Sequence, residues 1–317
     1  MAAAPTLHGR GQLGLLRAAL RPPLPPLCLC MSASDSSLAP AAFLAAHPDT
    51  PTDASPERPL LHILYRDDDM VVVYKPAGWL VHRTAIARHE TRFVLQRLRD
   101  QIGQHVWPVH RLDQGTCGVL VFALNKESCQ KLAACFVEHT AKKQYLALAR
   151  GWLPDEVEVD YALKPDDAPE DAPAQPAQTT LRCLAHLEWP EAYDQRHPST
   201  RVSLVEALPT TGRRHQIRRH LKHESHPIIG DATHGKGPLN RWWAERIGQH
   251  RLWLHAHALE IAHPRTGEVM RFCADWQKLS HVPEVQQWQR LLSLSGWTAT
   301  ARGLPTSCGI ALPVSAT

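Results

Sequence analysis

Short apolar runs separated by charged or turn-forming residues dominate the chain from Leu61 onward. Residues 62–65 and 70–74 are rich in β-branched and aromatic side chains and flank Asp67-Asp68-Asp69, which predicts a β-hairpin. Lys75-Pro76-Ala77-Gly78 then stops the second strand, since proline lacks an amide hydrogen and glycine favours a turn. Between residues 91 and 102, Phe93, Val94, Leu95, Leu98 and Ile102 recur at helical spacing. Residues 118–124 read as a buried strand, 126–139 as a helix and 144–149 as another strand. This irregular alternation predicts an α+β domain rather than a repeat or a bundle.

The two ends do not fit that pattern. Residues 1–60 hold ten of the 26 prolines, many alanines and one aromatic, Phe43, so they predict a disordered Pro/Ala-rich extension. Its first 34 residues carry Arg10, Arg17 and Arg21 without an acid, the composition of a transit peptide. An over-extended start, with Met31 as a second initiator, explains the same segment more simply. Residues 298–317 contain one charged residue and read as a tail. One catalytic domain is therefore expected over residues 61–297.

With 44% hydrophobic and 21% charged residues the chain has the composition of a globular protein, and no apolar run approaches the length of a membrane span. Eight scattered cysteines without a Cys-x-x-Cys pair argue against a zinc ribbon and fit a reducing cytoplasmic compartment. The formal charge is only +4, but residues 155–171 carry eight acids and one base, leaving +11 on the remainder. The body of the protein is basic, as a polyanion partner requires.

The basic charge peaks at residues 211–223, Thr-Gly-Arg-Arg-His-Gln-Ile-Arg-Arg-His-Leu-Lys-His, with five full positive charges. Ile217 and Leu221 predict a buried helix side, with Arg214 and Arg218 together on another side of the same helix. Such a helix suits phosphates, although a solvated basic face has the same composition. His110-Arg111-Leu112-Asp113 is the second candidate, a carboxylate beside an arginine in a loop that leads into an apolar strand. From its residue types alone, Asp113 is as readily an ion-paired loop acid as a nucleophile.

Taken together, these segments resemble the RluA-type pseudouridine synthase family, which isomerises uridine in RNA. The resemblance runs from about Leu61 to Trp276. It comprises residues 74–83, the His110-Arg111-Leu112-Asp113 signature with Gly118-Val119, and Lys142-Lys143-Gln144-Tyr145. It continues through residues 211–218, His226-Pro227-Ile228-Ile229-Gly230-Asp231 and Leu254-His255-Ala256. Residues 78–83, 99–105 and 219–221 are most similar to the branch that modifies uridine 65 of certain tRNAs. The family's usual Asn before Lys-Pro is Tyr74 here, and nothing in residues 1–60 matches the N-terminal RNA-binding domain many members carry.

The resemblance implies the pseudouridine synthase fold, a mixed and mostly antiparallel sheet flanked by helices and loops. It implies Asp113 as the essential carboxylate, Arg218 as its salt-bridge partner and Tyr145 as the aromatic that packs on a flipped uracil. Arg111 matches the arginine that fills the vacated base stack, with His110 beside it among the RNA contacts, and Leu254 closes the base pocket. Arg213, Arg214, Arg219, Lys222, Lys142 and Lys143 are the expected phosphate contacts. The partner implied is tRNA, with rRNA as the alternative substrate and a non-catalytic RNA-binding protein as the alternative class. Because the isomerisation exchanges no atoms and is redox-neutral, no cofactor, nucleotide or metal is expected, and the protein is expected to act as a monomer without a membrane.

Three other patterns carry weaker signals. Residues 230–237 nearly spell a phosphate-binding loop, but Gly237 stands where a Mg²⁺-binding Ser or Thr belongs. His220, His223 and His226 recur every three residues without the His-Glu-x-x-His pattern, so solvated or RNA-facing histidines are the simpler reading. The pair Trp242-Trp243 could stack on RNA bases, but a helix packed on the core is the simpler reading.

Overall fold

The computed structural model describes residues 59–83, 90–165, 168–169, 171–301 and 303. The N-terminal extension predicted for residues 1–60 lies outside them except for its last two residues, as does most of the predicted tail. In chain order the elements are β1 (His62–Arg66), β2 (Met70–Lys75), α1 (Val94–Ile102), β3 (Trp107–Pro108), β4 (Cys117–Ala123) and α2 (Lys126–Val137). They continue with β5 (Lys142–Arg150), β6 (Glu156–Asp160), β7 (Gln178–Trp189), β8 (Thr200–Pro209), α3 (Gln216–His223) and α4 (Gly237–Ile247). The last are β9 (Leu254–Ala262), β10 (Val269–Cys273), α5 (Pro283–Leu292) and β11 (Trp297–Ala299).

All eleven strands belong to one sheet, with the main path β1-β2-β4-β9-β5-β8-β7-β11 and with β3, β6 and β10 paired to β4, β7 and β9. Every pairing is antiparallel except β4 with β9, which meet in parallel through Cys117 opposite His255 and Gly118 opposite Ala256. That short seam sets the geometry of the site. Gly118 has φ 117°, and a Cβ on it would overlap the Ala256 carbonyl, so only glycine lets the strands close here. The loop ahead of β4 is thereby brought beside the start of β9, and Tyr145 on β5 pairs with Ala256 across the same strand.

Local sequence explains most elements. Asn125 caps α2 by accepting the Ser128 amide, and Leu132, Ala133 and Phe136 form its buried face. Asp67 turns the first hairpin by accepting the amides of Asp69 and Met70. The larger core gathers β5, β7 and β8 with Trp243, Trp253, Trp276 and Trp288, while a smaller one under α1 joins Val71, Val73, Leu98, Leu120 and Phe122. Trp243 of α4 is fully buried, in line with the core-packing role predicted for the tryptophan pair.

Two boundaries differ from the sequence reading. The chain is still in the sheet at Thr298 and Ala299, which pair with His186 and Ala185, because Trp297 is buried and draws β11 onto β7. The basic helix starts at Gln216, not near Arg214. His215 takes a left-handed conformation (φ 55°), and Thr211 Oγ1 and the Arg213 amide donate to Gln216 Oε1, so Arg213 and Arg214 lie in a turn. Arg214 therefore does not share a helix face with Arg218.

Candidate active site

Asp113 sits in the loop that precedes β4, its carboxylate one-fifth exposed. Lys75 holds that loop from below. Its ammonium is fully buried and donates to the carbonyls of Thr116 at 2.6 Å, Pro76 at 3.0 Å and Gln114 at 3.1 Å. Burial lowers the Lys75 pKa to about 7, against the attraction of Cys117, Asp113 and Glu284. The sequence analysis included Lys75 in a turn motif but gave it no role at the site.

Arg218 reaches Asp113 from α3. Its Nη1 lies 3.1 Å from Asp113 Oδ2, while Nε and Nη2 donate to Asp231 at 2.7 and 2.8 Å. The Asp231 side chain is fully buried, and its Oδ1 also accepts the amides of Thr233 and His234. Burial opposes both charges, but the pair outweighs it, raising the Arg218 pKa and lowering that of Asp231. The expected Asp113–Arg218 pairing is present, and Asp231 is a third member that the sequence analysis did not assign. Only the turn beginning at Gly230 aims it at α3, which no spacing rule reveals. The same turn uses its own amides on Asp231, so its loop-like sequence builds an ion-pair clamp.

Beside Asp113 lies a pocket of about 120 Å³ whose walls include Tyr145, Leu254, Lys143, Phe136 and Arg218. Burial, then the Asp113 charge, raises the Tyr145 pKa, so its hydroxyl is a neutral phenol. Lys143 donates to the Thr211 carbonyl at 2.8 Å, and burial lowers its pKa to about 8. On the other side of the Asp113–Arg218 pair a groove of about 990 Å³ opens between the Asp113 loop and α4. Arg111, exposed, and His215, whose Nε2 is 3.9 Å from Asp113 Oδ2, border both spaces.

The remaining candidates divide. Arg213 lines the small pocket and Arg214 the groove. Lys142 faces the opposite side of β5 from Lys143 and pairs with Glu260 at 2.7 Å. Arg219 donates to the Lys164 carbonyl at 2.6 Å, and neither it nor the exposed Lys222 lines either space. His110, expected among the RNA contacts, lies at the back of the small pocket. It is buried, stacks on Phe136 at 4.3 Å and accepts the Val121 amide through Nε2. Burial, then the Lys143 charge, lowers its pKa to about 3, so it is a neutral strut behind the pocket.

No metal centre forms at the three spaced histidines. His220 is buried against Thr179 and the Tyr161 carbonyl, while His226 contacts the Arg150 carbonyl. Among the described residues, one set of metal-capable side chains converges, Asp67, Asp69 and His263. These are engaged with one another and with Tyr65, Asn125 and Arg265; Asp67 and Asp69 lie in the first hairpin's turn and His263 just beyond β9. No helix among the described residues is long and apolar enough to cross a membrane.

An acid pinned by a buried arginine clamp, between an aromatic-walled pocket and a cationic groove on a mixed sheet, defines a class, and comparison with known proteins gives the same class. Residues 69–223 match the family model described as RNA pseudouridylate synthase. The chain belongs to that family and is an isomerase of the pseudouridine synthase type. More particularly, it is similar to proteins named tRNA pseudouridine synthase C. The one from Vibrio parahaemolyticus is 47% identical over 230 residues, covering 69% of this chain and 93% of the relative. That of Yersinia pestis is 44% identical over 249 residues, covering 76% and 93%. Among solved structures, human RNA Pseudouridylate Synthase Domain Containing 1 superposes with a TM-score of 0.52 at 28% identity, covering 67% of this chain and 82% of that one.

Proposed function

We propose that the protein converts uridine to pseudouridine in tRNA, at position 65, with Asp113 as the reacting carboxylate. The observation that carries this reading is the position of Asp113, held 3.1 Å from Arg218 where a base-sized pocket meets a cationic groove. Similarity to the tRNA pseudouridine synthases C supports the choice of RNA.

The chemistry breaks the N1–C1′ bond, turns the uracil and joins C5 to C1′. C5 gives up its proton and N1 ends with one, so no electrons are gained or lost. A stem buries its bases, and flipping one out costs a few kcal/mol. Arg111, exposed at the mouth of both spaces, is placed to offer a planar guanidinium to the vacated stack. Tyr145 and Leu254 then sandwich the flipped uracil, a contact in which aromatic stacking contributes about 1–3 kcal/mol. Arg218 fixes the carboxylate's direction, and the narrow pocket keeps water from the detached uracil.

The test is a map of pseudouridine across total tRNA and rRNA in cells with the gene, without it, and with Asp113→Asn in its place. Loss of one tRNA pseudouridine at position 65, unrestored by Asp113→Asn, is the expected result. Loss confined to rRNA, or restoration by Asp113→Asn, overturns the reading.

A further inference from the structure

The two spaces flanking Asp113 differ eightfold in volume, about 990 against about 120 Å³. The small one suits a single base, whereas about 990 Å³ is at the upper end of what a small-molecule site offers. The carboxylates on the groove's wall are Asp113 and Asp231, and both are turned to Arg218. Arg111, Arg214 and Arg241 line the same groove. Among the described residues, no carboxylate pairs with Arg111 or with Arg241, and both are exposed. Among the described residues, Arg111 and Arg241 therefore bring positive charge to the groove without a carboxylate of their own.

Its outer wall is α4, a helix the sequence analysis assigned only to core packing. Trp243 and Leu239 bury one side of α4, which leaves Arg241 on the side facing the groove. The floor is Ile229, Leu252 and Trp253, apolar and able to lie under sugars or bases. Continuity with the base pocket is direct, because Arg111, Asp113, His215 and Arg218 border both.

We infer that α4 forms the second wall of an RNA backbone site, in which Arg241 contacts a phosphate of the strand flanking the flipped uridine. The inference rests on the proposed RNA substrate and extends it to an element outside the motifs that carry the family resemblance. A phosphate contact of this kind positions the strand without reading its sequence.

The experiment uses full-length Asp113→Asn protein, which keeps the groove and cannot turn over, and an unmodified tRNA transcript followed by fluorescence anisotropy across KCl concentrations. Adding Arg241→Ala should make the salt dependence of log Kd shallower by about one contact. By that dependence it should weaken binding about five- to eightfold at about 0.1 M salt relative to about 1 M. Arg241→Lys should recover the slope, since a point charge still neutralises a phosphate. Lys131→Ala, which removes one charge from the exposed face of α2, should leave the slope unchanged. If Arg241→Ala behaves like Lys131→Ala, the inference fails while the functional reading stands. If the Asp113→Asn parent shows no salt-dependent tRNA binding, the functional reading itself fails, and this inference with it.

Discussion

Asp231 and Arg218 meet through two near-parallel hydrogen bonds, 2.7 and 2.8 Å, which leave only Nη1 of the guanidinium to face Asp113. Arg218 is thus held on its far edge where it meets Asp113. Asp231→Asn keeps the shape but leaves a buried guanidinium short of one charge, a loss of about 3–5 kcal/mol for a broken buried pair. The expected outcome is a lower melting temperature and a kcat reduced at least tenfold, with KM for tRNA little changed. An unchanged kcat in a folded variant would show that the clamp does not position Asp113.

His110 gives the protein an acid-sensitive strut. Its folded pKa is about 3 because of burial, then the Lys143 charge, against about 6.5 when unfolded. Between those values the unfolded chain binds a proton that the native ring refuses, so this contribution is intact above about pH 6.5 and is lost as pH falls toward 3. His110→Gln keeps an acceptor for the Val121 amide but cannot titrate. Melting curves from pH 7 to about 4 should fall less steeply for the variant than for the parent. Parallel slopes would refute a neutral buried His110.

Gly118→Ala tests the parallel seam. The added methyl meets the Ala256 carbonyl, so β4 and β9 must separate, and φ 117° adds backbone strain. Because the seam sets the distance from the Asp113 loop to Leu254 and Tyr145, kcat should fall in addition to stability. Full activity at a temperature where the variant is folded would mean that the site tolerates a displaced loop.

Lys75→Met removes the donor that ties down the Asp113 loop while preserving most of the volume. Three carbonyls lose their shared partner, and each buried one left unsatisfied costs about 1–3 kcal/mol. The variant should melt earlier and lose turnover, while tRNA affinity, which depends on surface arginines, stays within about twofold. A selective loss of affinity with normal kcat would contradict this placement.

How much of this was legible beforehand depended on whether the information was local. The first hairpin, β4 and α2 were predicted to within a few residues because their apolar runs and the Asn125 cap are written in adjacent positions. The long strands β7 and β8 escaped; along β7 the alternation of Leu181 and Cys183 with Arg182 is interrupted by the register shift between Cys183 and Ala185, where Leu184 is buried as well. The Asp113–Arg218 contact spans 105 residues and was reached through family resemblance, not spacing. Asp231 follows the turn at Gly230 (φ 78°), and Lys75 ends β2 with its ammonium on the distant carbonyls of Gln114 and Thr116, neither of which residue spacing reveals. The burial of His110 was not legible either, because its neighbours in sequence border the site while its ring packs inward on Phe136.

The joining of β4 to β9 also orders events during synthesis. Asp113 is made early, yet its arginine clamp ends at Asp231 and its pocket closes only with Leu254, nearly half the chain later. A ribosome-bound fragment ending before β9 holds Asp113 without Leu254, and the contacts around this carboxylate are complete only once the C-terminal third has been made.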